Sequence, residues 1–594
     1  MTANSVREPL KRLNKTIEIR NPSESRHTTT RNGMTDSPFN VVIGGEAGRG
    51  LVTLGYLLAK SLVRSGYSIV VSQNYESRIR GGHNTFAIRV SADDVAAPTE
   101  PIDLLVALDA ETMAVDRKDL SSEGFAVVDE VLDITDDGCL RIPYEKLAKA
   151  EFSNVAALGV IGFILGLDDQ LISKTVDEFF GAKRAEIVRG NRQALTNAYS
   201  WCAKQPSFPC QKLAAVSTPS RRLLMNGNEA IALGAMSAGV KFCSFYPMSP
   251  STSIALSLIN HSKRMNLIVE QAEDEIAAIN MAIGASFAGA PSMVTTSGGG
   301  FALMEEAVSL TGVSETPLVI VVVQRPGPAT GLPTRTEQAD LEMVLHAGHG
   351  EFPRVIFAPG TVEDCFYLTR AAFSLAERYH GPVFLLSDQF LADSYRGVAP
   401  FDIEHLPPVR GGHDTLVSDA IYKRYAITDS GVSPRLFPGM TEHIVVADSH
   451  EHSEDGHITE DPSVRKNMVE KRLRKLNGIR RDVVAPNFEG DQDPDLLLIS
   501  WGSSKGAVSE AASRMKLAGR RVATLHFSQV WPLIPDQFLG FLEKSREVVC
   551  VEGNATAQFA RLIRRETGFH IGKRVLRYDG RPLTPGSILR DMDL

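Results

Sequence analysis

The sequence predicts an α/β protein of three doubly wound, Rossmann-like units that are interrupted by one polar insertion. Three observations predict this fold class. Short apolar runs of strand length alternate with segments whose apolar residues recur at helical spacing. Turns rich in glycine or hydroxyl side chains follow several of the apolar runs, as they do in parallel α/β sheets. The chain has 594 residues, which is enough for three or four domains.

The first unit is predicted over residues 38–205. It begins with an apolar strand, a glycine-rich turn that contains Gly48 and Gly50, and a helix over residues 51–65. Residues 68–72 are predicted to form the next strand, which gives a right-handed strand–helix–strand unit with a parallel sheet. The order of the glycines differs from G-x-G-x-x-G, so NAD is not the expected ligand. The turn either presents backbone N–H groups to a phosphate or is an ordinary tight turn.

A linker over residues 206–220 leads to the second unit, residues 221–410, and the third unit is predicted over residues 491–594. The strands of the second unit are predicted at residues 242–246, 267–270, 292–296 and 317–323. Residues 411–490 are predicted to be an insertion and linker, rich in charge and histidine, with a basic helix around residues 466–475. The histidine spacing matches no standard zinc motif, so no metal site is predicted.

Composition and charge exclude several function classes. The formal net charge of −8 and the pI near 6.0 argue against nucleic acid or an anionic membrane as the main partner. No apolar run reaches the ~18 residues that cross a bilayer. The six cysteines include no C-x-x-C pair, which argues against an iron–sulfur cluster in this chain and favours a reducing, cytoplasmic location. Residues 1–37 lack the apolar core of a secretory signal and are predicted to be a disordered tail, with an organellar transit peptide as the alternative.

The second unit carries the sharpest functional signals, in the loops that follow its predicted strands. Pro247 and Pro250 stiffen the first of these loops, which is rich in hydroxyl groups. Glu275 follows the second strand and begins a helix of small residues, where simple helix capping is the alternative role. The third loop is rich in hydroxyl groups and glycine, and the fourth, residues 324–338, contains two arginines. Because the carboxyl ends of parallel strands meet at one edge, these loops should converge on one site.

Taken in order, these loops resemble the α subunit of 2-oxoacid:ferredoxin oxidoreductases. The stretches that carry the resemblance are Tyr246-Pro-Met-Ser-Pro-Ser-Thr252, Glu273-Asp-Glu-Ile-Ala-Ala-Ile279, Thr295-Thr-Ser-Gly-Gly-Gly-Phe301 and Gly331-Leu-Pro-Thr-Arg-Thr-Glu-Gln338. The first unit looks like the family's γ domain fused ahead of α, and the third resembles the transketolase C-terminal-like domain. Residues 423–435 look like the two-subunit, 2-oxoglutarate-type branch. The resemblance covers about residues 38–594.

The resemblance implies that thiamine diphosphate binds between the second unit, as the pyrimidine domain, and a diphosphate domain on another subunit. Glu275 matches the family glutamate that hydrogen-bonds the aminopyrimidine ring, and the loop with Tyr246 and Pro247 is implied to line the cofactor. The remaining implied contacts are Ser249, Thr334 and Arg335 with the 2-oxoacid, and Gly48, Gly50 and Asn554 with coenzyme A. Ser249 stands where the family has a threonine, which leaves the hydroxyl but less constraint on its orientation.

The implied reaction is the oxidative decarboxylation of 2-oxoglutarate with coenzyme A to succinyl-CoA and CO₂, with electrons passed to ferredoxin, or the reverse carboxylation. The sequence has no Gly-Asp-Gly followed by Asn-Asn, so a β subunit is expected to hold the diphosphate, Mg²⁺ and a [4Fe–4S] cluster in an (αβ)₂ heterotetramer. The alternatives are another 2-oxoacid, such as pyruvate or a branched-chain acid, a non-redox thiamine carboligase, and a coenzyme A-binding subunit. A non-catalytic assembly subunit also stays open.

Overall fold

The computed structural model describes residues 34–35, 38–76, 81–134, 136, 138–206, 208–216, 220–409 and 422–593. The predicted disordered tail therefore lies outside the described residues except for Met34–Thr35, which pairs with Lys212–Leu213 as a short two-stranded sheet. Parts of the predicted linker and insertion also lie outside them.

The first sheet has eight strands and is mixed. Its region contains strands β1 Met34–Thr35, β2 Phe39–Ala47, β3 Ser68–Asn74, β4 Gly81–Ser91, β5 Ile102–Ala107, β6 Leu120–Asp129, β7 Leu140–Ile142, β8 Lys212–Leu213 and β9 Leu223–Met225. The helices are α1 Leu51–Arg64, α2 Ala110–Asp116, α3 Tyr144–Leu147, α4 Ser153–Ile164, α5 Asp169–Phe180 and α6 Ala185–Lys204. The strand order is β7-β6-β5-β2-β4-β3, continued by a strand at 396–398 and by β9.

The prediction of a parallel first sheet is only partly right, because β4 and the strand at 396–398 each run antiparallel to both of their neighbours. The sequence analysis missed β4, which lies between β2 and β3 and is antiparallel to both. Its inward side chains Phe86, Ile88 and Val90 are buried in the same core as the apolar residues of α1. Alternation over a long strand therefore outweighed the two glycines at its start.

The second sheet has seven strands and carries the predicted elements within a residue or two. The strands that residues 226–398 contribute to the fold are β10 Phe242–Phe245, β11 Ile268–Gln271, β12 Ser292–Thr296, β13 Leu318–Gln324, β14 Val355–Phe357, β15 Pro382–Asp388 and β16 Arg396–Val398. The helices are α7 Gly227–Ala238, α8 Thr252–Met265, α9 Glu275–Phe287, α10 Gly298–Val313, α11 Leu341–His346, α12 Val362–Tyr379 and α13 Gln389–Asp393. The order β11-β10-β12-β13-β15-β14 is parallel throughout.

Every residue of β13 is buried, because helices cover both faces of the second sheet. Ile320 and Val322 pack with apolar residues of α9 and α10 on one face. Val319 and Val321 pack with α7 and α12 on the other. A continuous apolar run is what a strand buried on both faces requires.

The third sheet has five strands. The elements after residue 460 are α14 Pro462–Arg481, β17 Asn487–Gly490, β18 Leu496–Trp501, α15 Lys505–Leu517, β19 Val522–Phe527, β20 Gln529–Trp531, α16 Leu539–Lys544, β21 Glu547–Glu552, α17 Gln558–Thr567, β22 Lys573–Leu576 and α18 Pro585–Asp591. The order is β17-β19-β18-β21-β22, with β17 antiparallel to β19. Two strands cross between units: β16 joins the first sheet and β20 joins the second. The three sheets confirm the predicted α/β class.

The basic helix predicted in the insertion is α14, and it packs against the second unit through buried charges. Lys471 and Lys475 place their ammonium groups 2.6 and 2.5 Å from the carboxylate of Glu315, which is fully buried. Among the described residues, no group of three or more histidine, cysteine, aspartate and glutamate side chains could hold a metal ion. No helix in the described part of the chain is long and apolar enough to cross a membrane.

Candidate functional site

The four loops that the sequence analysis singled out lie side by side at one edge of the second sheet. They follow β10, β11, β12 and β13, which are neighbours in the sheet and run parallel. The chain passes from β10 to β11 on one side and returns to β12 on the other, so the strand order reverses between β10 and β12. A reversal of this kind opens a crevice at the carboxyl ends of the strands, where ligands bind in α/β sheets.

Glu275 is the first residue of α9, and it is not the residue that caps this helix. The cap is Asp274, whose carboxylate accepts a hydrogen bond of 2.7 Å from the Ala277 N–H. Glu275 is only 4% exposed, and its Oε1 atom has no hydrogen-bond partner among the described residues. A buried polar atom without a partner is uncommon and calls for a ligand or another explanation. The capping alternative thus fails to account for Glu275.

Gly300 keeps a space open beside Glu275. A Cβ atom built on Gly300 would lie 2.4 Å from the Thr296 hydroxyl and 2.6 Å from Glu275 Oε1. Its neighbour Gly299 is different, because the nearest atom to a Cβ there is the Ala329 carbonyl oxygen at 3.7 Å. Only one of these two glycines is therefore required by the space around Glu275.

Further unpaired polar atoms surround the start of α10. The hydroxyls of Thr295 and Ser297 are fully buried and have no partner among the described residues, and Ser297 caps α10 without a side-chain hydrogen bond. One carboxylate oxygen of Asp340 is also unpaired, and it lies 2.3 Å from where a Cβ on Gly298 would stand. Burial, helped by the charge of Glu337, raises the pKa of Asp340 to about 7. The sequence analysis placed Thr295 and Ser297 in the hydroxyl-rich third loop without giving either a role, and it missed Asp340, because nothing in its local pattern separates it from turn and cap residues.

The loop after β10 contributes backbone as well as side chains. Arg325, at the end of the β13 strand, donates a hydrogen bond of 2.6 Å to the Ser249 carbonyl. The Ser249 side chain is exposed at the edge, and Tyr246 and Pro247 are exposed beside it. Burial lowers the pKa of Arg325, whose Nε atom has no partner among the described residues. Ser249 and Arg325 can therefore present a hydroxyl and a cation to a ligand at this edge.

Thr334 and Arg335 lie where all three units meet. The Thr334 hydroxyl donates to the Tyr75 carbonyl of the first unit, so this hydroxyl is already engaged within the chain. Arg335 has no carboxylate within ion-pairing distance among the described residues, and burial lowers its pKa although Glu76 opposes the shift. A half-buried guanidinium of this kind is suited to a carboxylate ligand.

The three residues suggested for coenzyme A have simpler structural roles. Gly48 and Gly50 have left-handed backbones, with φ of 95° and 77°, and a Cβ on Gly50 would stand 2.1 Å from the Asn154 amide nitrogen. The tight-turn alternative is enough to explain both. Asn554 is 1% exposed, and its amide bonds with Gln338, Glu552 and the N–H groups of residues 556 and 558. These bonds use both donors and both acceptor positions of the side-chain amide inside the chain, so the predicted contact of Asn554 with coenzyme A has no free amide group to form it.

Fold and site together define a large α/β enzyme subunit with a polar crevice at one sheet edge, where several buried polar atoms lack a hydrogen-bond partner among the described residues. Residues 233–471 match the family model described as "Pyruvate flavodoxin/ferredoxin oxidoreductase, thiamine diP-bdg", and residues 40–201 match "Pyruvate ferredoxin/flavodoxin oxidoreductase". A 2-oxoacid:ferredoxin oxidoreductase subunit alpha from Sulfolobus sp is 31% identical, over 91% of this chain and 94% of the relative. The chain belongs to the 2-oxoacid:ferredoxin oxidoreductase family, in which it corresponds to the α subunit.

Two further comparisons bear on the branch of the family. The 2-oxoglutarate oxidoreductase subunit KorA of Mycobacterium tuberculosis is 30% identical, over 88% of this chain and 87% of the relative. The solved structure of "2-oxoglutarate:ferredoxin oxidoreductase from Magnetococcus marinus with 2-oxoglutarate, coenzyme A and succinyl-CoA bound" has a TM-score of 0.87 and 29% identity. The match covers 94% of this chain and 99% of that one.

Proposed function

We propose that this chain is the α subunit of a thiamine-diphosphate-dependent 2-oxoglutarate:ferredoxin oxidoreductase. The reaction converts 2-oxoglutarate and coenzyme A to succinyl-CoA and CO₂ and passes two electrons to ferredoxin, or runs in reverse as a carboxylation. The likeness over nearly the whole chain to a solved enzyme of that name supports this substrate. The KorA relatives from Mycobacterium tuberculosis and Archaeoglobus fulgidus are named for 2-oxoglutarate as well.

The observation that carries the proposal is the buried Oε1 atom of Glu275, which has no hydrogen-bond partner among the described residues. The edge fits the pyrimidine end of thiamine diphosphate, since Glu275 Oε1 lacks a partner in the described part of the chain and Gly300 leaves room beside it. When bound, this cofactor supplies the nucleophilic carbon and electron sink that decarboxylation of a 2-oxoacid needs. Glu275 would hold or accept a proton at Oε1 against the aminopyrimidine ring, and helix α9 fixes its position. Tyr246 and Pro247 would line the cofactor.

The substrate contacts follow from the charge at the same edge. Arg335 and Ser249 would bind the 2-oxoacid, the first through its guanidinium and the second through its hydroxyl. Arg325, held against the Ser249 carbonyl, would add a second positive charge for the distal carboxylate of a dicarboxylic acid. Thr334 would act only by holding the loop, because its hydroxyl donates to the Tyr75 carbonyl.

The other half of the site is assigned to a second polypeptide. We place the diphosphate-binding residues, Mg²⁺ and a [4Fe–4S] cluster on a β subunit, in an (αβ)₂ assembly that reduces ferredoxin in the cytoplasm. The α-subunit names of the relatives support a complex of more than one chain. The six cysteines are all free and are scattered along the sequence, which supports a reducing location. Coenzyme A would be the co-substrate.

A second candidate is an enzyme of broader 2-oxoacid specificity. The relatives of Sulfolobus and Aeropyrum pernix are named for 2-oxoacids in general rather than for 2-oxoglutarate. Pyruvate or a branched-chain acid would then be used at comparable rates. The two candidates share the cofactor and Glu275, and they differ only in the preference for a distal carboxylate.

The test is acyl-CoA formation by the copurified α and β subunits, with 2-oxoglutarate and pyruvate compared at equal concentration. Glu275→Gln is expected to lower thiamine-dependent turnover by about 10²–10⁴-fold with the complex intact, because it removes a proton-transfer group. The matched control is Glu273→Gln, an exposed carboxylate two residues away, which should keep full activity. Wild-type turnover by Glu275→Gln would rule out the assignment of this residue. A pyruvate rate equal to the 2-oxoglutarate rate would favour the broader enzyme.

A further inference from the structure

The third sheet has a crevice of the same topological kind as the candidate site, and residues of the second unit fill it. The strand order reverses between β18 and β21, so ligands of such a sheet would bind beyond Trp501 and Glu552, where these strands end. Gln338 occupies this place. It belongs to the loop that follows β13 and carries Arg335, and it is 3% exposed.

Gln338 is held there by both its backbone and its side chain. Its N–H donates to the Gly553 carbonyl at 2.6 Å, and its Oε1 accepts from the Gly553 N–H at 2.8 Å. Its Nε2 donates to the Trp501 carbonyl at 3.0 Å. The Asn554 amide donates to the Gln338 carbonyl at 3.2 Å. We call Gln338 with Trp501, Gly553 and Asn554 the Gln338 clamp.

The third unit also contacts this loop at the residue next to Arg335. The Thr336 N–H donates to the Gly580 carbonyl at 3.2 Å. Gly580 has a φ of 79°, and a Cβ on it would stand 3.0 Å from the Arg335 Cβ, so a glycine is needed for the loop to come this close. From the first unit, the Tyr75 carbonyl accepts a hydrogen bond from the Thr334 hydroxyl. The backbone around Arg335 is thus fixed from two units, whereas its guanidinium has no ion-pair partner among the described residues.

We propose that the Gln338 clamp positions the Arg335 guanidinium for the substrate carboxylate, with Gln338 and Asn554 as its positioning residues. The inference rests on the proposed function, since it takes Arg335 as the substrate-binding arginine. Its physical basis is preorganisation: a loop that is already fixed loses little freedom when the substrate binds. Gln338 and Asn554 contact no substrate themselves and act only through the loop.

A double-mutant cycle on the copurified complex tests the clamp. The value of kcat/KM for 2-oxoglutarate is measured for the wild type, Gln338→Ala, Arg335→Ala and the double variant. Gln338→Ala is expected to lower kcat/KM about tenfold, mainly through KM, because Arg335 loses its position. In the Arg335→Ala background the same change should cost less than about twofold, since Gln338 has nothing left to position.

The matched control breaks a contact that the third unit makes with the first unit instead of the second. The Glu510 carboxylate accepts from the Arg89 guanidinium at 2.7 Å and from the N–H groups of Ala96 and Ala97. Glu510→Gln loosens this contact without touching the loop, so kcat/KM should stay at the wild-type value. An equal loss in Glu510→Gln would show general loosening of the units and would overturn the clamp.

The remaining outcomes separate the clamp from the proposed function. Arg335→Ala at the wild-type kcat/KM rejects Arg335 as a substrate residue, and the clamp falls with it. An impaired Arg335→Ala with a normal Gln338→Ala, or with equal losses in both backgrounds, rejects the clamp alone. If Gln338→Ala does not assemble, Gln338→Glu replaces it in the cycle: it keeps the side-chain size and an oxygen for Gly553 but places a carboxylate oxygen against the Trp501 carbonyl.

Discussion

The second and third sheets end in crevices of the same topological kind, but their buried polar groups are in opposite states. In the second sheet Glu275, Thr295 and Ser297 each have a buried oxygen without a partner among the described residues. In the third sheet the Glu552 carboxyl is fully buried, and it accepts hydrogen bonds from the backbone N–H groups of residues 559 and 560 at 2.9 and 3.0 Å. Asn554 adds a third bond at 2.8 Å.

This difference supports the proposal that the second crevice, and not the third, binds a ligand. An unpaired buried polar group costs about 1–3 kcal/mol, and several of them together at the carboxyl edge of a sheet are groups that a bound molecule would complete. The third crevice has been completed by Gln338 from the chain itself. On this proposal, one architecture serves as a binding edge in the second unit and as a structural support in the third.

The largest expected effect in this comparison comes from filling the space beside Glu275. Gly300→Ala places a methyl group 2.6 Å from Oε1, so the carboxyl group must move, and a displacement of about 1 Å can lower turnover by about 10²-fold. Gly299→Ala is the matched control, because its Cβ meets nothing closer than 3.7 Å. The measurement is the turnover of the copurified Gly300→Ala and Gly299→Ala complexes. Equal activity of both variants would mean that the position of Glu275 does not limit the reaction.

A smaller effect should distinguish Glu552 from Glu275 by what each contributes to the free energy of unfolding. Glu552→Gln turns an NH₂ group toward N–H donors, and we expect it to lower the free energy of unfolding by about 1–3 kcal/mol. Glu275→Gln should leave it unchanged or raise it, since Oε1 has no internal partner to lose among the described residues. Thermal unfolding midpoints of the two variants make the comparison. A larger loss in Glu275→Gln than in Glu552→Gln would contradict the assignment of the two crevices.

The smallest effect concerns the pH dependence of stability and Asp340. Burial and Glu337 raise the pKa of this carboxyl from 3.8 to about 7 in the folded chain, while Arg325 acts in the opposite direction. Between these pH values the folded state keeps a proton that the unfolded state has released. The contribution of Asp340 to the free energy of unfolding is therefore complete below pH 3.8 and is lost as the pH rises through about 7.

Asp340→Asn should remove this loss of stability at higher pH, because asparagine has no carboxyl group to ionise. Relative to the wild type, the variant gains about 1–2 kcal/mol between pH 5 and pH 8, less than the whole pKa shift implies because the side chain is partly exposed. Chemical unfolding at a series of pH values measures the difference. The exposed Asp429, changed to asparagine, is the control and should follow the wild-type curve. A curve for Asp340→Asn that is parallel to the wild type would refute the raised pKa.

Local patterns were enough to predict much of the second unit and its candidate binding edge. The strands at β10, β12 and β13 were predicted within a residue or two, because each is a short apolar run bounded by turn residues. Parallel connections then placed their loops at one edge. Glu275 could be selected because it stands in a family motif, although its burial and its unpaired oxygen could not be known from the sequence.

The features that the sequence analysis missed all depend on partners that are distant in the chain. β4 lies between β2 and β3 because its apolar side chains complete the core under α1. The role of Asn554 is decided by Gln338, which is more than 200 residues away in the chain. No local pattern encodes such a pairing.

The sequence by itself determined the fold class, the order of the units and the loops that form the candidate site. Spacing of apolar residues and of turn residues fixes these, since they depend on neighbours along the chain. Only the tertiary structure decided that Asp274 rather than Glu275 caps α9, that the crevice of the third sheet is filled, and that Arg335 is held from two sides. Hydrogen-bond satisfaction in a buried place depends on which distant atoms reach it, and folding alone brings those atoms together.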